Sequence, residues 1–105
     1  MTSTLDISQE QRETLLALLH RYLPGVTIWA YGSRVKGSAR PNSDLDLVVF
    51  TTPTQRSQVA ELKDALDESN LPFRVDLHAW NDIPERFHDV IRNDYHVLSN
   101  SSSSV

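Results

Sequence analysis

YGSRVKGSARPNSDLDLVVF, residues 31–50, joins a Gly-Ser turn to an Asp-x-Asp pair, with ten residues between Ser33 and Asp44. Ser33 sits where a strand turns into a helix. Its hydroxyl and the first helical N–H groups are thereby offered to an anion, which also feels the positive end of the helix dipole. Asp44 and Asp46 differ by two positions in a segment that reads as a strand, so both side chains leave one face and can hold a hard cation together. Asp-x-Asp alone is common on solvated strands, and Gly-Ser alone is an ordinary turn. Together, at a fixed distance, they arise by chance about once in 10^5 starting positions at average residue usage, which favours a functional reading.

The elements around this segment follow from periodicity and punctuation. Ser8 with Gln11 is a capping-box pattern, and Leu15, Leu16, Leu18, Leu19 and Tyr22 give a helix its apolar face up to Pro24-Gly25. Residues 26–31 are β-branched and aromatic and predict a first strand ending at Gly32. A short helix from Ser33 to near Gly37, a Pro41-Asn42-Ser43 turn and a second strand over 44–50 come next. Thr54 is the expected cap of a helix carrying Val59, Leu62 and Leu66 to about Ser69, stopped by Asn70 and Pro72. A third strand, 73–79, alternates Val75 and Leu77 on one face with Asp76 and His78 on the other. Asp82 and Glu85 form another capping pattern, Pro84 suits the first turn, and Phe87, Val90 and Ile91 predict a buried stripe on the last helix. Residues 1–98 are expected to form one domain, and the Ser-rich end, 99–105, to be disordered.

With 105 residues the chain has room for a single core and little for a separate substrate-selecting lobe. It has no cysteine, which removes disulfides and thiolate chemistry and fits a reducing compartment. No apolar run approaches a membrane span and the N-terminus lacks a signal core, so a cytoplasmic location is expected. The net charge of −4 argues against direct nucleic-acid binding. Between Glu13 and Asp44, however, there is no acid, while Arg21, Arg34, Lys36 and Arg40 fall in that interval. Arg34 and Lys36 are therefore candidate phosphate contacts beside Gly32 and Ser33. His78 is a lone histidine on a strand and is left out of the site. His20, His88 and His96 have no partner at ligand spacing, and Trp29 and Trp80 are expected to pack rather than to stack a base.

The Gly32, Ser33, Asp44 and Asp46 pattern resembles the signature of the DNA polymerase beta-like nucleotidyltransferase superfamily. Its spacing and the order of elements resemble in particular the minimal members, the MNT antitoxins that accompany HEPN-domain toxins. The resemblance implies a small α+β (mixed α/β) fold with a mixed sheet of three or slightly more strands packed with helices. It implies a third carboxylate from a later strand, for which Asp76 stands in a matching setting. Asp44 and Asp46 would be metal ligands, and Asp76 would complete the nucleophile side. Ser33 and the adjoining N–H groups would hold the β- and γ-phosphates of ATP. Three such carboxylates suit two Mg²⁺ ions. The implied activity is transfer of AMP from ATP to a hydroxyl, a tyrosine by expectation, on a cognate HEPN ribonuclease toxin. The alternative is a non-catalytic antitoxin of the same fold that masks its toxin by binding.

Overall fold

Ser8 opens the first helix as its pattern requires: its Oγ accepts from the N–H of Gln11 at 3.1 Å, and its own N–H donates to Gln11 Oε1 at 2.8 Å. In the structure, a computed structural model, residues 5–36 and 43–99 are described, Ser33 and Lys36 by their backbone alone. The elements are α1 (Gln9–Tyr22), β1 (Ile28–Tyr31), α2 (Ser33–Lys36), β2 (Leu45–Val49), α3 (Arg56–Asp67), β3 (Val75–Ala79), α4 (Glu85–Asn93) and β4 (Tyr95–Ser99). Single 3-10 turns, Pro53–Gln55 and Trp80–Asp82, lead into α3 and out of β3. The expected turn over 41–43 and the helix end near Gly37 fall largely outside the described residues, as does the tail from residue 100.

The sheet runs β3-β2-β1-β4. β1 is antiparallel to both β2 and β4, while β2 and β3 are parallel. Parallel neighbours need a long crossover, and α3 supplies it. One face of the sheet carries Ile28, Ala30, Leu45, Leu47, Val49, Val75, Leu77 and Leu98, which bury against Leu15 and Leu19 of α1 and Leu62 and Leu66 of α3. This is the core. β2 lies in the middle of the sheet, and its Val48 is fully buried on the opposite face, which explains the unbroken apolar run Leu47-Val48-Val49.

Several expectations change. The segment 95–99, left without an element, is a fourth strand: it pairs with β1 through a register shift between Ile28 and Trp29, and Leu98 enters the core. Ser99 thus belongs to the sheet and not to the tail. Thr52, not Thr54, heads the turn into α3, its N–H donating to Gln55 Oε1 at 2.9 Å. Pro84 stands at the N-cap of α4 rather than in its first turn, with no side-chain cap. The stripe of α4 is largely open: Ile91 is buried, but Phe87 is 45% and Val90 52% exposed. With α1 and α3 on one face, α4 is left with the other, and that face carries charged groups it cannot cover. Among the described residues no helix is long and apolar enough to cross a membrane.

Candidate active site

The period of two that sends Ile28, Leu45 and Val75 into the core sends their neighbours to the opposite face. Strand register then lines those neighbours up. Asp76 of β3 stands opposite Asp46 of β2, Asp46 opposite Tyr31 of β1, and Tyr31 opposite Tyr95 of β4. One row across the sheet therefore carries two acids and two phenols. Asp44 precedes β2 by one residue and is exposed, at the open end of the same segment.

Gly32 closes this row. It has a φ of +86°, and a Cβ placed on it would meet Asp46 Oδ2 at 2.6 Å. Only a glycine lets the backbone after β1 pass so near the carboxylate. Ser33 follows at the first position of α2, whose Val35 N–H donates to the Gly32 carbonyl at 3.0 Å. With four residues α2 offers N–H groups but little macrodipole.

The electrostatics reflect the crowding. Burial raises Asp46 above the ordinary carboxylate range, the charges of Asp76 and Asp44 add to this, and His78 opposes it. Burial, with Asp46 and then Asp76, pushes the Tyr31 phenol up to about 12, so it stays protonated at neutral pH. Asp76 pairs with Arg74, Nε to Oδ1 at 3.0 Å. Among the described residues no three His, Cys, Asp or Glu side chains gather as a closed metal cluster. Asp76 is drawn toward Arg74, and Asp44 lies open to solvent. The donor set still fits a hard divalent cation, because Asp44 and Asp76 both lie near enough to act on the charge of Asp46 and all three offer oxygen.

Arg34 departs from its expected place. It is only 5% exposed, its Nε donates to the Ser43 carbonyl at 3.0 Å and its Nη1 to the Asp6 carbonyl at 2.9 Å, and its guanidinium lies 4.2 Å from the centre of the Phe73 ring. These contacts tie the turn after Gly32 to the residue before Asp44 and to the approach of β3, so Arg34 acts here as a brace. Only the backbone of Lys36 is described, and Arg40 lies outside the described residues. His78, left out of the site by its sequence, shares the carboxylate face and is exposed. Two residues were missed: Tyr31 and Arg74. Both could have been found by counting in twos, from Asp76 back to Arg74 and from Trp29 to Tyr31.

The remaining aromatics pack. Trp29 stacks on Tyr95 at 3.9 Å and meets Phe50 edge-on at 4.6 Å, while Trp80 stacks on Phe50 and His88 at 4.9 and 3.8 Å. His88 Nε2 also lies 3.1 Å from the Trp80 carbonyl, and His96 Nε2 3.2 Å from Arg12 Nη1.

Aspartates paired across adjacent strands, under a glycine turn that opens a short helix, define a nucleotidyltransferase of minimal size. The chain belongs to the polymerase beta nucleotidyltransferase family, whose model matches residues 13–104. It is 40% identical over 102 residues to a probable protein adenylyltransferase, MntA, of Haemophilus influenzae, covering 96% of this chain and 90% of the relative. Its fold is also that of a toxin–antitoxin crystallised with AMP-PNP, at TM-score 0.60 and 22% identity over 85% of this chain and 73% of the other. A third similarity is to a tri-AMPylated Shewanella oneidensis HEPN toxin in complex with its MNT antitoxin, at TM-score 0.55 and 17% identity, covering 91% and 75% of the two chains.

Proposed function

We propose that this chain is a Mg²⁺-dependent adenylyltransferase that moves AMP from ATP to a hydroxyl, a tyrosine hydroxyl, of a HEPN-domain toxin, and so serves as its antitoxin in the cytoplasm. The observation that carries the reading is the row Asp76-Asp46 on neighbouring strands, with Gly32 against Asp46. The 40% identity to a probable protein adenylyltransferase supports the substrate class. The net charge of −4 supports a protein acceptor over nucleic acid.

Asp44, Asp46 and Asp76 would hold Mg²⁺, two ions in this reading, whose contribution is neutralisation of phosphate charge. The turn at Gly32 and Ser33 supplies N–H groups for the β- and γ-phosphates, with Lys36 following in the same turn. The acceptor oxygen attacks the α-phosphorus and forms the new P–O bond as the bond to the β-phosphate oxygen breaks. Pyrophosphate leaves on the Gly32 side. The phenolic proton passes to the Asp76 carboxylate and on to water. Asp46 sits between entering and leaving groups, and its raised affinity for protons reflects burial first and then the like charges of Asp76 and Asp44, against which His78 acts.

The exposure of Phe87, Val90 and Val97 favours a second reading, inhibition by surface binding alone. Mixing the chain with its toxin, with and without Mg²⁺-ATP, separates the two by mass spectrometry and ribonuclease assay. Adenylylation predicts a toxin heavier by whole AMP units and inhibition that persists after the chain is removed. Stoichiometric inhibition without nucleotide, and no mass gain with it, refutes the transfer.

A further inference from the structure

Between α4 and the carboxylate face lies a cavity of about 300 Å³, lined by Tyr31, His78 and Asp82 and by the apolar side chains Ile83, Pro84, Phe87, Val90 and Ile91. Nothing in the transfer mechanism above uses it. Its position, its charge and its openness each restrict what it can hold.

Position comes first. Tyr31 stands beside Asp46 in the strand register, and His78 stands two residues beyond Asp76, so the cavity opens at the carboxylate row. In an in-line displacement the entering oxygen lies opposite the leaving group. Pyrophosphate departs past Gly32, at the end of β1, and the entering side is therefore that of β3. β3 runs through the turn Trp80–Asp82 directly into Ile83 and Pro84, the lip of this cavity.

Charge comes second. Lysine and arginine are absent from the lining, and the acid Asp82 stands against the single histidine, His78, so a neutral group is favoured over an anionic phosphate. Its volume is at the lower end of small-molecule sites, which run from roughly 300 to 1,000 Å³, and suits one ring and its neighbours. Openness comes third. Phe87 at 45% and Val90 at 52% exposure form a rim at i and i+3 on one helix. A free nucleotide would leave that rim in water, whereas a ring carried on a second polypeptide brings flanking chain to cover it.

We propose that this cavity is the acceptor subsite, in which an aromatic, hydroxyl-bearing side chain of the partner lodges between Tyr31 and Phe87 with its oxygen toward Asp76, while the adjoining apolar chain covers Phe87 and Val90. Aromatic edges and faces at Tyr31 and Phe87 suit a phenol ring better than an aliphatic alcohol. The inference rests on the adenylyl transfer proposed above.

The test uses Phe87→Ser and Val90→Ser, both at exposed positions, with thermal unfolding to confirm an intact fold. Each is expected to raise KM for the toxin about ten-fold, as the loss of about half of an apolar side chain's burial dictates, while leaving the Kd for Mg²⁺-ATP unchanged. An unchanged KM overturns the subsite, and a weakened Kd for ATP reassigns the cavity to the nucleobase. If the wild-type chain transfers no AMP, the reading of the function has failed and the subsite falls with it. A measurement independent of transfer is titration with N-acetyltyrosinamide. It is expected to shift the methyl resonances of Val90 and Ile91, and N-acetylalaninamide is not; equal shifts or none overturn the proposal.

Discussion

Gly32→Ala separates the cost to the fold from the cost to the chemistry, because the chain carries its own control. Gly25 and Gly32 both have positive φ, +73° and +86°, but a Cβ on Gly25 meets nothing within 4 Å, whereas one on Gly32 meets Asp46 Oδ2 at 2.6 Å. Alanine at either position bears the left-handed backbone penalty of roughly 1–2 kcal/mol. For a domain of this size each kcal/mol lowers the melting temperature by about 4–8 °C, so the two variants are expected to soften the fold alike. At Gly32 there is a second effect. Ordinary contact begins near 3.4 Å, so the Asp46 carboxylate must retreat by roughly 0.8 Å. It is the end of a side chain and can move, which keeps the added cost to stability small. For catalysis the same movement is large, since a displacement near 1 Å is worth about 10²-fold in rate. Thermal unfolding and AMP transfer to the toxin, measured on both variants, are expected to show matched melting temperatures and a loss of about two orders of magnitude for Gly32→Ala alone. Full activity in Gly32→Ala, or an equal loss in Gly25→Ala, would refute the claim that the glycine exists to clear the carboxylate.

Asp46→Asn is expected to abolish transfer and, in metal-free buffer, to raise stability at neutral pH. The folded state binds the Asp46 proton more tightly than the unfolded state does, so this group's contribution to stability falls as pH rises through the raised value. The asparagine's advantage should vanish below the ordinary carboxylate range, about pH 4, and equal melting curves at neutral pH would contradict the assigned crowding. Arg34→Lys keeps the charge but not the fork; as a brace it should lose roughly 1.5–3 kcal/mol of stability through its carbonyl bonds, whereas a phosphate contact would leave unfolding untouched and weaken only ATP binding. Asp76→Asn should slow single-turnover transfer while Mg²⁺-ATP still binds by titration, and an unaltered single-turnover rate would make Asp76 a surface residue.

The main parts of the candidate site were legible because the chemistry proposed for them tolerates few residue types. Gly32, Asp44 and Asp46 are recognisable by identity and spacing, and the period of two placed Asp76 on the face opposite Val75 and Leu77, where the structure has it. Side-chain direction at a helix start is not written in spacing, so Arg34 read as a phosphate ligand, although its guanidinium turns back to Ser43 and Asp6. α4 was misread for a related reason: the periodicity of Phe87, Val90 and Ile91 shows that the helix has an apolar stripe, but not that the surface left to receive it is a row of acids. β4 escaped notice because Tyr95 and His96 give a weak alternation, and its strand character comes from pairing with β1.

The two faces of the sheet divide the demands on this chain. The face under α1 and α3 is wholly apolar and holds the core, so it can offset the cost of gathering acids on the other side. On that other side the aromatic group of Trp29, Phe50 and Trp80, with the buried Val48, anchors the end of the sheet away from the carboxylates. The carboxylate end stays open. Fully covering it with α4 would bury Asp46 and Asp76 further, and burial already raises Asp46. A helix that stops short of the row avoids that cost but leaves Phe87 and Val90 half in water. The exposed rim and the accessible site therefore have one cause, and a partner that brings its acceptor to Asp76 must cross the rim to do so.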